Sequence, residues 1–501
     1  MITELKWDKE NTLQQLLFSL KNRSYAIITV LLSLAIWILF RHIYPKPFIT
    51  ADSYFYILSA NNNYYAGYWP IGYPKFIRLI ISLSHSTYLL VTIQFVISQI
   101  SLFLFFISIR TIFILGNLSS YILFTFTIIN PIFIFANNHI MSDILFMDFS
   151  LLWITQLLWI IVYPKPFMLI SQALLLLIAF VIRYNAIYYP LLTLLVYFLS
   201  TFSAWKKFIG IVITYIPLLI FIQFTRIKME ELGGVRIFSS AAGWKQANNA
   251  LYMYSHIAEN DTSFVPKKLK ELHLITKGYF KKQHTDIDLY HIESEPSLGC
   301  FYMNSNESPL TKYIVLKNGE KEDLLNFNDK IQFSAFLLQY GNYLIFKHPI
   351  SFVKFVIIPN IVAYITPFPE VYGRNFQIYD SMDHDIGKLT KKWFKIDFNY
   401  TPSRYLFLRE KILSPFTIIF SIINLVFIAY LIFTFFRILK KGIKQNVTNY
   451  SLLVLTFTCI FNFLFTIITT TSVIRFQFYS IILEFTTLVI ITSLIYKSDK
   501  E

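Results

Sequence analysis

The run SYAIITVLLSLAIWILF, residues 24–40, is followed after a short polar break by ADSYFY, 51–56, and YWPIGYP, 68–74. An uncharged run of this length comes close to crossing a hydrocarbon core of ~30 Å, so it reads as a transmembrane helix. No small-residue cleavage site follows it, which makes it a retained first span rather than a signal peptide. Lys6, Lys9, Lys21 and Arg23 precede it, and the positive-inside tendency then places the amino-terminal segment 1–23 in the cytoplasm. Asp52 falls on the opposite side, a few residues beyond the lipid, among aromatics that favour the membrane–water boundary. A carboxylate held there can meet a lipid-borne substrate. An Asp before an aromatic run also reads as the N-cap of a short helix.

Composition extends this reading to the whole chain. Of 501 residues, 55% are hydrophobic and 18% aromatic, with a mean hydropathy of +0.53, outside the range of a soluble domain. The formal charge of +15 is read against the two sides of a membrane, because no basic block with interleaved aromatics points to nucleic acid. Cys300 stands in a polar region and Cys459 in an apolar run, which argues against an intrachain disulfide.

Further apolar runs at 88–109, 118–136, 144–163, 167–182, 187–199, 208–224, 414–436, 450–468 and 478–496 bring the expected count to ten, with both termini cytoplasmic. Pro131 should kink the third, and Ser84-His85-Ser86 should cap the second. The basic first loop (Arg41, Lys46, Lys75, Arg78) opposes this orientation unless the loop holds an anion; the later loops agree with it. The expected fold is an all-α polytopic membrane protein, multi-pass and integral to the membrane. It has a seven-helix module at 24–224 with a first outer loop at 41–87, a charged α-rich or mixed extracytoplasmic domain at 225–413, and three carboxy-terminal spans in 414–501. The apolar stretch 348–366 reads as a helix lying on or dipping into the outer leaflet. A crossing there would put the basic turn 437–444 outside, and Lys354, Pro349, Pro359 and Pro367 point the same way.

Ionisable residues at span ends are functional candidates, since one at mid-helix costs roughly 2.5–3.5 kcal/mol on insertion scales. Asp52, His139, Asp143, Arg183 and Arg475 all fall at outer ends of apolar runs. Singly, each is explained as a snorkelling anchor. Jointly, acids and arginines on one face make a site for a phosphate and a base. Asp148 and Glu484 lie deeper and read as structural. His139 and Asp143, four apart, share a helix face and with Asp52 could bind a divalent metal, although a cap and a surface histidine explain them equally well.

Asp52 with Tyr56 and Ala60, then Gly67, Trp69-Pro70 and Gly72-Tyr73-Pro74, resembles the first outer loop of the C-type (GT-C) polytopic glycosyltransferases, the superfamily that includes protein mannosyltransferases and aminoarabinose transferases. Ser142-Asp143, Arg183-Tyr184-Asn185 and Arg475-Phe476 are similar to later motifs of the same group, in the same order. The resemblance covers 24–224 well and the carboxy-terminal spans loosely. It implies transfer of a sugar from a polyprenyl-phosphate donor to a hydroxyl of a glycan, lipid or protein acceptor on the extracytoplasmic face. Asp52 is then the base, with Asp143 the second acid of the catalytic set. Arg183 and Arg475 bind the donor phosphate, and Tyr56, Tyr68 and Trp69 contact substrate. A single first-loop acid, without an adjacent partner, disfavours a protein acceptor and favours direct displacement with inversion. The phosphate keeps a negative charge as it leaves, so a divalent metal is optional, and the resemblance implies no other particular cofactor. A surface-polysaccharide polymerase or ligase, or a flippase for lipid-linked sugars, are the rival classes.

Overall fold

Pro131 has no N–H to continue a helical ladder, and the third apolar run divides there. One piece is Asn117–Ile128 and the next is Pro131–Asn137, capped by the Asn130 side chain, which accepts from the Ile132 N–H at 3.0 Å. The computed structural model describes residues 19–257, 264–283, 299, 301–318, 327–367, 388, 391–394, 406–442, 445–469 and 472–498, and these contain helices and no strand. Lys6, Lys9, Cys300, Lys444 and Lys500 lie outside the described residues.

The first half of the chain forms α1 (Leu20–Ile43), α2 (Ala51–Asn61), α3 (Gly72–Leu83), α4 (Thr87–Ile112), α5 (Asn117–Ile128), α6 (Pro131–Asn137), α7 (Ser142–Val162), α8 (Phe167–Ile182), α9 (Tyr189–Leu199) and α10 (Ala204–Gly233). Ser86 caps α4 by accepting from the Leu89 N–H. The last part forms α16 (Leu406–Lys441), α17 (Val447–Thr469) and α18 (Phe478–Ser498). Between them lies an insert whose helices are α11 (Ser240–Tyr254), α12 (Lys270–Gln283), α13 (Pro309–Asn318), α14 (Ser334–Lys347) and α15 (Pro349–Ile365).

Eight helices among the described residues are long and apolar enough to cross a membrane, so the chain is a multi-pass, all-α membrane protein. The fifth and sixth runs form the shorter apolar helices Phe167–Ile182 and Tyr184–Leu199. The 16 residues of α8 rise about 24 Å, short of a ~30 Å core. Burial distinguishes an axis from a rim. Most of α7 is enclosed, 83% of its apolar window, by α4, α8, α9, α17 and α18, whereas α1, α10 and α16 each bury 22% and offer the remainder to lipid. A residue at the start of α7 therefore sits at the centre of the bundle's end.

The insert has its own apolar core, including Trp244, Leu251, Tyr302, Ile314, Tyr340 and Leu344. Its α11 and α14 approach closely through glycines: a Cβ on Gly243 would fall 1.9 Å from the Ser334 carbonyl oxygen, and one on Gly341 would fall 2.8 Å from the Ala247 nitrogen. At His348–Pro349 the chain bends by 101° from α14 into α15, and Pro349 occupies the first turn of α15, where its missing N–H is tolerated. The far end of α15 docks among α16, α17 and α18. Tyr364 donates to Ser480 Oγ at 2.9 Å, and its carbonyl accepts from Asn424 Nδ2 and Gln477 Nε2 at 2.7 and 2.9 Å.

Candidate functional site

The cap of α2 belongs to Thr50 and Ser53, not to Asp52. Ser53 Oγ accepts from the Thr50 N–H at 2.9 Å within a capping box, the arrangement that satisfies first-turn donors. Asp52 is thereby left in the first turn with its carboxylate free to reach outward. It meets Arg475, whose Nη1 lies 2.7 Å from Asp52 Oδ2 and 3.9 Å from Asp143 Oδ2. Asp143 Oδ1 in turn takes Arg183 Nη1 at 2.5 Å. The result is a chain of alternating charge, Asp52–Arg475–Asp143–Arg183, drawn from α2, from the 3₁₀ turn Ile474–Gln477, from the start of α7 and from the end of α8. Phe476 supports both guanidiniums, with Arg475 Cζ at 4.9 Å and Arg183 Cζ at 5.0 Å from its ring centre. Ser142 Oγ accepts from Arg183 Nη1 at 3.3 Å and lies 2.8 Å from the Tyr56 hydroxyl. Burial holds the Tyr56 pKa well above its ordinary value against the opposing pull of Arg183, so the phenol stays protonated.

Local backbone contacts bring these elements together. The Phe48 N–H donates to the Asn138 carbonyl at 2.8 Å and the Ile140 N–H to the Phe48 carbonyl at 3.1 Å, stapling the strand of chain before α2 to the loop before α7. Gln94 on α4 clamps that loop from the other side by donating to the Asn137 and His139 carbonyls at 3.0 and 3.1 Å, while its own oxygen accepts from Tyr73. Gly72 opens α3 against the end of α8: a Cβ there would lie 2.7 Å from the Ile182 nitrogen and from the Val181 carbonyl. Only glycine permits this approach, immediately before Arg183.

The structure thus brings Asp52, Tyr56, Asp143, Arg183 and Arg475 together. It places Tyr68 and Trp69 elsewhere, against the insert, where Tyr68 joins the core that holds Trp244 and Lys245 Nζ stands 5.5 Å over the Trp69 ring. His139 is buried, not on the surface, and its ring packs tilted against Phe48 with centres 4.9 Å apart. Burial, then the charges of Arg409 and Arg475, push its imidazole well below its ordinary pKa, so it is neutral. Among the described residues no group of three or more His, Cys, Asp or Glu side chains is arranged to hold a metal ion, and the Asp52 and Asp143 carboxylates are engaged by guanidinium. Asp148 is fully buried in α7 beside Ser98, and Glu484 is buried in α18 where Tyr364 reaches it at 3.4 Å. The sequence reading missed Gln94, although the two carboxamides inside the apolar run 88–109, Gln94 and Gln99, were its signal.

Exposure divides the four charges. Asp52 is 24% exposed and Asp143 only 6%, with Arg475 and Arg183 at 15% and 14%. Neither a family model nor a curated protein nor a solved structure matches this chain.

Proposed function

We propose that this chain is a GT-C-like membrane glycosyltransferase that moves a sugar from a polyprenyl-phosphate donor to an acceptor hydroxyl, with its site on the extracytoplasmic face of a ten-span fold. The observation that carries the reading is the convergence of two acids and two arginines at the end of the bundle, from positions as far apart as Asp52 and Arg475. Charges buried this far from bulk water are costly unless they are paired or used.

Asp52 is the more exposed acid and takes the proton of the acceptor hydroxyl as its oxygen attacks the anomeric carbon. The bond from that carbon to the phosphate oxygen breaks, and its electron pair leaves with the phosphate. Arg475 and Arg183 receive that phosphate, since planar guanidinium matches its oxygens in pairs. Before the donor arrives, Arg475 holds Asp52 in an ion pair at 2.7 Å. A phosphate that draws Arg475 away frees the carboxylate, so the base becomes competent when the donor is seated. Attack opposite the leaving group inverts the anomeric centre. Asp143, enclosed and paired to Arg183, orients that arginine; Tyr56, protonated, braces Ser142 beneath it. An apolar cavity of about 480 Å³ between α5, α6, α16 and α18, walled by Phe126, Ile129, Phe416 and Phe485, has the chemistry of a prenyl-chain seat. Phe485 lies ten residues beyond Arg475, about 15 Å along the helix axis.

Purified protein assayed for turnover of polyprenyl-phosphate sugars tests the reading. Asp52→Asn should lower transfer about a hundredfold or more, roughly 2.7 kcal/mol of lost transition-state stabilisation, with donor affinity little changed. Wild-type turnover in that variant would leave polymerisation or transport as the better account. Topology is tested separately in a background lacking Cys300 and Cys459. Single cysteines at the exposed positions Arg236, Ala242 and His256 should react with an impermeant thiol reagent from outside, and cysteines at 445–449 should not.

A further inference from the structure

Tyr68 and Trp69, displaced from the four-charge chain, stand at a seam between the first loop and the insert that holds two polar donors with no protein acceptor among the described residues. One is Lys330, partly buried in the short helix Phe327–Gln332. Its Nζ lies 4.9 Å from the ring centre of Tyr68, 5.7 Å from that of Phe55 and 5.8 Å from that of Trp244, and has neither an acceptor nor an anion beside it among the described residues. The other is Trp69 Nε1, a buried N–H without a partner, on a ring whose centre is 4.8 Å from that of Tyr68. The lysine is held in place from behind, because Trp244 Nε1 donates to the Lys330 carbonyl at 2.9 Å.

Ring faces attract a cation but supply no lone pair in the direction of its N–H bonds. An ammonium and an indole N–H gathered around one tyrosine ring, both donors, are complementary to a group that only accepts and is negative. Phe55 is three residues after Asp52 on α2, one step of about 4.5 Å along the helix. A ligand gripped at the seam therefore lies alongside the helix that carries the base.

We propose that Lys330 Nζ and Trp69 Nε1 seat an oxyanion, a carboxylate or phosphate, carried by the acceptor, so that the enzyme glycosylates an anionic glycan or glycolipid. Its role as an acceptor seat rests on the transferase reading above; its existence as an anion site does not.

The experiment uses full-length protein in a nonionic detergent and follows acylation of Lys330 by mass spectrometry, with exposed Lys206 of the same molecule as the internal reference. Burial lowers the pKa of Lys330, which favours acylation of its amine, and a bound anion would both shield it and restore its charge. Glycerol phosphate and glucuronate are the probes, glycerol and glucose their neutral counterparts. A charged probe at about twice its dissociation constant should slow the reaction about threefold by simple occupancy, and the neutral ones should not. Trp69→Phe keeps the ring, removes the donor and should reduce that protection. Equal rates with and without charged probes would overturn the proposal. A second arm compares bilayer discs of phosphatidylglycerol and phosphatidylcholine without soluble probe. Protection by the anionic headgroup alone, with none from soluble anions, would overturn the assignment to the acceptor. With turnover established, Lys330→Gln should raise the acceptor KM at least about tenfold and leave the donor KM unchanged. Protection of Lys330 in a protein that transfers no sugar would uphold the anion site and remove only the transferase reading.

Discussion

The two acid–arginine pairs at the end of the bundle have the same chemistry and different surroundings. Asp143 and Arg183 are 40 residues apart, joined at 2.5 Å, and their carboxylate is 6% exposed. Asp52 and Arg475 are 423 residues apart, joined at 2.7 Å, and their carboxylate is 24% exposed. An enclosed pair has little room to exchange partners, because separating it strands a charge away from water. A more open pair can give its guanidinium to an incoming phosphate and its carboxylate to an incoming hydroxyl. Under the proposed transferase reading, the contrast suits the first pair to orientation and the second to chemistry.

Neutralising the acids one at a time puts the largest strain on that assignment. Asp52→Asn is expected to lower transfer about a hundredfold or more, while Asp143→Asn lowers it less than about tenfold. The reverse holds for stability, where Asp143→Asn strands Arg183 and costs about 3 kcal/mol in denaturant unfolding. If Asp143→Asn is the more damaging to turnover, the base belongs to α7. Removing the arginines should sharpen the same contrast. Arg475→Ala and Arg183→Ala both weaken donor binding, by about tenfold or more each, since a charge-assisted bond to phosphate is lost in ground state and transition state alike. Only Arg183→Ala should also lower the melting temperature appreciably, having left a 6% exposed carboxylate with only the longer 3.9 Å contact to Arg475. Unchanged donor affinity in both variants would return the two arginines to snorkelling anchors.

The smallest effect belongs to the cap. Thr50→Ala should cost about 1 kcal/mol of stability, read by thermal unfolding, and change transfer by less than about twofold. A larger loss of activity would mean that the register of α2 is as important to the site as the carboxylate itself.

Much of the helical arrangement was legible without tertiary structure, because lipid imposes it locally. The fifth apolar run and α8 share the bounds Phe167–Ile182; Pro131 divides the third run; Ser86 caps α4. Helix ends were less legible. Apolar character fades near Thr225, yet α10 continues to Gly233 and stops where Gly234 takes φ +70°. Hydropathy reports the edge of the membrane, whereas the helix persists through the good formers Lys228, Met229, Glu230, Glu231 and Leu232 until a residue tolerant of the left-handed region ends it.

The sequence by itself determined that this is a multi-pass helical membrane protein, and it marked Asp52, Asp143, Arg183 and Arg475 as charges at helix ends. Both follow from the cost of placing polar groups in hydrocarbon, which acts residue by residue. Only the tertiary structure decided which acid meets which arginine, that Thr50 and not Asp52 caps α2, and that Tyr68 and Trp69 belong to the seam with Lys330. It also decided that α15 turns by 101° and docks Tyr364 between Asn424 and Gln477, two residues from Arg475. Partner choice across such separations depends on how helices pack and on close approaches at Gly72, Gly243 and Gly341. Periodicity and hydropathy are properties of single segments, and the distance between two segments is not written in either.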